Sequence, residues 1–209
     1  MIKVYGFKGR SRAERVIWAL DELSLDYQLI RLDYSSGDHR SDEFLRLNPL
    51  GKVPVLVHDN MVLTESVAIV HYLDKLLPEP VLVPVERDTK YRYEQRLQFA
   101  CSEIENFLWL ADQALFLNDV YQWPAGTAER AAAIAEQHIR LAEDWLVDAA
   151  FMLAGRFTAL DIIYYHILSW SALHSIQLRE STEDYLARMA SRPAFPATMA
   201  NPGSPARTG

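Results

Sequence analysis

At 209 residues, half of them hydrophobic, the chain is long enough for one large domain or two small ones with a real core. A net charge of −7 with no block of Lys and Arg argues against nucleic acid as a main partner, and no window of eighteen consecutive apolar residues offers a membrane span. The start, Met1-Ile2-Lys3-Val4-Tyr5, lacks a signal-peptide layout, and the single cysteine, Cys101, allows no internal disulfide, so a soluble protein of a reducing cytoplasm is expected.

In chain order, residues 2–7 read as a short strand. Residues 11–23 read as a helix with Val16, Leu20 and Leu23 on one face. Residues 27–32 alternate as a strand does, and residues 41–47 form a short helix. Residues 53–58 and 61–63 make a hairpin around Asp59-Asn60, followed by a helix over 66–76. Two strands joined through a helix form a right-handed crossover and pair in parallel. Pro78, Pro80 and Pro84 mark a linker, because proline removes donors and fixes the backbone. Helical patterns then fill 87–117, 127–149, the stretch after Thr158, and 182–190. Beyond Phe195 the chain turns to Pro, Gly and Ser, a composition that cannot bury enough to order itself. The predicted layout is therefore an α/β unit at 1–76, a linker at 77–86, an all-helical unit at 87–195 and a loose tail at 196–209.

Three local patterns bear on chemistry. Ser11 stands where the first strand gives way to the first helix, and Ser11-Arg12-Ala13-Glu14 fits a capping box. The same hydroxyl, beside a helix N-terminus and between Arg10 and Arg12, could instead donate to a bound thiolate. Val53-Pro54 opens an apolar strand. In the cis form Val53 would offer its N–H and C=O to an added peptide strand; in the trans form it is an ordinary strand-opening proline. Thr64-Glu65-Ser66 starts the third helix, either as a cap or as a site where Ser66 and the end N–H groups hold a carboxylate and Glu65 takes an ammonium.

The segment Tyr-Gly-Phe-Lys-Gly-Arg-Ser-Arg-Ala-Glu-Arg-Val-Ile-Trp-Ala-Leu from Tyr5 to Leu20, then Asn48-Pro49-Leu50-Gly51-Lys52-Val53-Pro54, then Thr64-Glu65-Ser66-Val67-Ala68-Ile69, resembles the N-terminal domain of a cytosolic glutathione transferase. Ala154-Gly155-Arg156-Phe157-Thr158-Ala159-Leu160-Asp161-Ile162 and Arg192-Pro193-Ala194-Phe195 resemble two segments of that family's helical domain. The resemblance covers residues 2–195. It implies a thioredoxin-like α/β domain followed by an all-α bundle. It also implies glutathione as co-substrate, conjugation to a hydrophobic electrophile, and a homodimer. Position by position, Ser11 matches the activating serine of the theta-like serine subgroup, with Tyr5 as the rival hydroxyl. Val53, before a cis Pro54, would pair with the cysteinyl backbone, and Glu65 and Ser66 would take the γ-glutamyl end. His39 and Lys52 fall where the family holds the glycine carboxylate, a solvated surface histidine being the other reading of His39. Alternatives on the same scaffold are a glutathione-dependent peroxidase or disulfide reductase and a non-catalytic glutathione-binding protein.

The remaining motifs read as structural. Thr158 to Asp161 is a capping box with Asp in the Glu position, flanked by a staple of Phe157 and Ile162. Cys101 reads as a small core residue. The six histidines show no metal spacing, and His166 and His174, eight apart, have no carboxylate partner in the pattern, so no metal is assigned. By the resemblance, some of Phe107, Trp109 and Phe116, with Phe7, would line the electrophile site.

Overall fold

The computed structural model describes residues 1–7, 11–153 and 155–200. Lys8-Gly9-Arg10, Ala154 and the expected tail from residue 201 onward lie outside the described residues, so Arg10 as a flanking cation does too. The chain divides into two units, residues 1–82 with the segment from 190 onward, and residues 83–189.

In the first unit, β1 (Ile2–Phe7) runs parallel to β2 (Tyr27–Leu32) with Ile2 opposite Tyr27, and antiparallel to β3 (Val55–His58) with Tyr5 opposite Val55. β4 (Met61–Thr64) pairs antiparallel with β3, giving the order β2-β1-β3-β4. Crossing from β1 to β2 is α1 (Ala13–Glu22), whose residues from Ala13 to Leu20 are all buried, Glu14 and Arg15 included. Gly6 lets this helix lie against the sheet, since a Cβ there would stand 2.8 Å from the Ala13 Cβ. On the opposite face, Tyr5, Phe7, Ile30, Val53 and Val57 pack around Leu32, Val55 and Phe44 of α2 (Asp42–Leu47), which Ser41 caps by accepting from Phe44 N–H. α3 (Ser66–Asp74) follows β4, and its buried Asp74 accepts from the N–H groups of Val81 and Leu82 at 2.7 Å each. This βαβαββα arrangement is a thioredoxin-like sheet with helices on both faces.

The segment after 190 belongs to this unit. Arg192 grips Glu22 with two bonds of 2.6 and 2.7 Å, Trp18 Nε1 donates to the same carboxylate at 3.0 Å, and Phe195 meets Trp18 edge-on at 5.0 Å. A single turn at Ala197–Ala200, with Met199 buried, continues into the stretch read from sequence as tail.

The second unit is helical. α4 (Arg87–Phe99) and α5 (Asn106–Phe116) form one run, joined through a wider π-type turn at Ala100–Glu105, with Cys101 half-buried in it. A short α6 (Asn118–Tyr121) precedes α7 (Thr127–Glu143). At its centre, α8 (Ala159–Ser171) is buried at every position except Ser169. α9 (Glu180–Ala190) follows. The capping box at the head of α8 is complete: Thr158 N–H donates to Asp161 Oδ2 at 2.8 Å, and Met152 N–H reaches the other oxygen at 2.8 Å.

One expectation is corrected here. His174 does have a carboxylate neighbour. Asp112 Oδ1 of α5 stands 2.9 Å from His174 Nε2, an ion-pair distance without hydrogen-bond alignment, while Trp170 Nε1 donates to Asp112 Oδ2 at 3.0 Å. Their separation of 62 positions hides that pairing from any local pattern.

Candidate functional site

The register of the sheet gathers the candidate residues at one end of it. Phe7 ends β1, Val55 opens β3, and Val55 lies opposite Thr64, so Val53-Pro54 neighbours Glu65-Ser66. The N-termini of α1 and α3 face the same end. Arg15, buried in α1, donates to Ser66 Oγ at 3.3 Å and ties the two helix starts together.

Ser11 is half-buried at the head of α1. Its oxygen accepts from Ala13 N–H at 3.3 Å, and its carbonyl accepts from Glu14 N–H at 3.1 Å. The capping box expected here does not close in the usual way, because the Glu14 carboxylate accepts from Arg31 of β2 at 2.8 Å. Among the described residues, no acceptor takes the Ser11 hydroxyl proton. Tyr5, the rival, lies on the other face of the sheet with its ring 5.8 Å from Phe44; burial, then the charge of Glu43, raises its phenol above the ordinary value.

Val53-Pro54 is cis. Among the described residues nothing hydrogen-bonds to the Val53 N–H or C=O, although its side chain is half-buried in the sheet core. Asn48 shapes the loop leading to it. Its side-chain N–H donates to Lys52 C=O at 2.7 Å, its Oδ1 accepts from Leu50 N–H at 3.1 Å, and its carbonyl accepts from Gly51 N–H at 2.9 Å. Gly51 has φ +63°, and a Cβ there would stand 2.9 Å from the His39 carbonyl, so this loop and the turn at Asp38–Arg40 touch.

His39 is not a solvated surface residue. It is 8 % exposed, stacked on Tyr34 at 4.5 Å with the rings 6° apart, and edge-on to Phe7 at 5.7 Å. Its Nδ1 is buried with no partner among the described residues. Burial and then Arg40 lower its pKa, against an upward pull from Asp38. Lys52 is exposed. Glu65 is exposed as well and holds φ +66° and ψ +110°, a conformation that a non-glycine residue rarely adopts.

The sequence reading named Ser11, Tyr5, His39, Lys52, Val53, Pro54, Glu65 and Ser66. It missed Asn48, whose Asx-type turn was a legible signal, and the Arg15–Ser66 and Arg31–Glu14 links, which are tertiary. Of the aromatics proposed for the electrophile, Phe7 packs within the first unit. In the second, Phe107 lies 5.8 Å from His138 and Phe116 is 65 % exposed. Among the described residues, no group of three His, Cys, Asp or Glu is placed to hold a metal ion, and no helix is long and apolar enough to cross a membrane.

Against known proteins, residues 1–75 match the family model described as "Glutathione S-transferase, N-terminal domain". Glutathione S-transferase 1 of Dianthus caryophyllus is 38% identical over 104 residues, covering 50% of this chain and 47% of the relative. Probable maleylacetoacetate isomerase 2 of Drosophila melanogaster is 33% identical over 91 residues, covering 44% of this chain and 40% of the relative. The chain spans about half the length of the curated relatives it matches. Among solved structures, a glutathione transferase from Methylococcus capsulatus str. Bath superposes with a TM-score of 0.81 at 28% identity, covering 97% of this chain and 99% of that one.

Proposed function

We propose that this chain, whose residues 1–75 match the N-terminal domain of the glutathione S-transferases, binds glutathione at the end of the sheet described above and directs the thiolate onto a hydrophobic electrophile. The observation that carries the reading is Ser11: a hydroxyl at the amino end of α1 whose oxygen is already occupied and whose proton has no acceptor among the described residues. Such a donor suits an anion, and the helix end adds to its stabilisation by about 0.3–1 kcal/mol. A bound thiol held this way loses its proton more easily, and the thiolate is the nucleophile.

The other residues position the tripeptide. The Val53 N–H and C=O pair with the cysteinyl backbone as one added strand rung. Ser66, steered by Arg15, and the N–H groups opening α3 take the γ-glutamyl carboxylate, and Glu65 takes the ammonium. His39 and Lys52 take the glycine carboxylate, the imidazole as a ring N–H donor and Lys52 as a cation. Tyr5 is the weaker choice for activator, since a phenol raised above its ordinary pKa is a poorer partner for a thiolate. The active form is a cytoplasmic homodimer using no metal.

A second reading is favoured by the match to an isomerase of the same scaffold. Reversible addition of the thiolate to an activated double bond, rotation, and expulsion of the thiolate isomerises that bond with no net consumption of glutathione.

Titration of thiolate absorbance near 240 nm tests the core of both readings. Bound glutathione should ionise below the free tripeptide, and Ser11→Ala should bring the pKa back up by about 1 and cut turnover at pH 6.5 about tenfold. An unchanged pKa in Ser11→Ala sinks the assignment. Parallel assays with 1-chloro-2,4-dinitrobenzene, cumene hydroperoxide, a glutathionyl disulfide and a maleyl diketo acid then separate conjugation, reduction and isomerisation.

A further inference from the structure

We propose that the part-buried Glu14–Arg31 pair is a positioning device for Ser11, tying the end of β1 to the head of α1 so that the hydroxyl stays aimed at the sulfur. This rests on the glutathione reading above. Arg31 Nη1 donates at 2.8 Å to the Phe7 carbonyl and at 2.8 Å to Glu14 Oε1. Phe7 is the last residue of β1 and Glu14 lies in the first turn of α1, so one nitrogen spans the two ends of the segment in which Ser11 sits. Glu14 also holds the Ser11 backbone, donating its N–H to the Ser11 carbonyl at 3.1 Å.

The surroundings are arranged for this guanidinium. Arg31 is the register partner of Gly6 across the parallel pair, and a Cβ on Gly6 would stand 3.5 Å from Arg31 Nη1 as well as 2.8 Å from the Ala13 Cβ. Bare backbone at position 6 is needed for the helix start, while the arginine sits at ordinary contact distance. The Glu14 side chain is 0 % exposed and that of Arg31 22 %. Removing either side chain takes from the other a charged partner at 2.8 Å and lets it move, and the head of α1 that carries Ser11 moves with it. A hydroxyl displaced by a fraction of an ångström loses much of its hold on a charged acceptor.

Titrating bound glutathione near 240 nm on the full chain, with affinity for S-methylglutathione as the second readout, separates positioning from folding. Glu14→Gln and Arg31→Met are each expected to raise the pKa of the bound thiol by about 1 and to lower turnover at pH 6.5 about tenfold. Affinity for S-methylglutathione, which has no ionisable thiol, should stay within about twofold. Arg31→Lys, whose ammonium can donate to both oxygens, should restore most of the turnover and covers the case in which Arg31→Met fails to fold.

A thiol pKa unmoved in both variants overturns the inference, whatever their melting temperatures do, because the pair is then only a structural tie. A pKa that falls in Glu14→Gln also overturns it, since the carboxylate then acts through its charge. Loss of S-methylglutathione affinity in step with turnover overturns it as well. Ser11→Ala, run alongside, distinguishes the two levels. If Ser11→Ala moves the pKa and the pair does not, only this inference falls; if Ser11→Ala leaves it in place, the serine reading falls and takes the inference with it.

Discussion

Two helix heads in this chain begin from nearly the same sequence motif and end with different chemistry. At α8, Thr158 and Asp161 close on each other. The carboxylate takes the N–H groups of Thr158 and Met152 at 2.8 Å each and the Tyr185 hydroxyl at 3.1 Å, and nothing is left over. At α1, Ser11 and Glu14 carry the same spacing, but Glu14 turns to Arg31 and the Ser11 oxygen settles for Ala13 N–H, leaving a hydroxyl proton without an acceptor among the described residues. A motif whose donors and acceptors are all consumed belongs to the fold. One that ends with a donor to spare at the end of a sheet is, in the function proposed above, where a ligand completes the hydrogen bonding.

If that contrast is right, Asp161→Ala has the largest effect on stability. It strips partners from two buried N–H groups and a tyrosine hydroxyl, and should lower unfolding free energy by about 3 kcal/mol in urea. In whatever fraction stays folded, the pKa of bound glutathione should not move. The next effect is one of pH. Burial raises the Asp161 carboxyl to about 6 from an ordinary 3.8, against the pull of the N–H groups of Met152 and Thr158 and the hydroxyls of Tyr185 and Thr158. A folded pKa above the unfolded one stabilises fully below pH 3.8 and loses that contribution as pH rises through about 6. The stability gap between wild type and Asp161→Asn, read from urea midpoints, should therefore narrow between pH 4 and 7; a gap independent of pH would count against it. The smallest effect belongs to Tyr5→Phe. With no hydrogen bond to lose among the described residues, it should change the thiol pKa by less than about 0.2 and stability by less than about 0.5 kcal/mol. A large change there would transfer the activating role to the strand.

The alternation of β1, the crossover to β2 and the hairpin around Asp59 were all legible, because each is written in a few adjacent residues. So was the complete box at Thr158. The box at Ser11 read the same way and came out differently, since Arg31, seventeen positions beyond Glu14, competes for the carboxylate. His39 was open between surface and site because its burial comes from Tyr34, Phe7 and the Gly51 loop, none of which a local pattern connects to it. The dipeptide Val53-Pro54 could not state its own isomer, since both forms occur at strand openings. Strongly periodic segments declare their class, while pairings across long separations are decided only once the chain has closed on itself.

The grip of Arg192 on Glu22 and of Phe195 on Trp18 makes the first unit discontinuous in the chain. Its opening helix carries a tryptophan and a carboxylate whose partners are synthesised more than 160 residues later. On the ribosome, the α/β half therefore waits until residue 195 has emerged before these contacts form. A fragment ending at the linker would expose the Trp18 edge and leave Glu22 without its guanidinium.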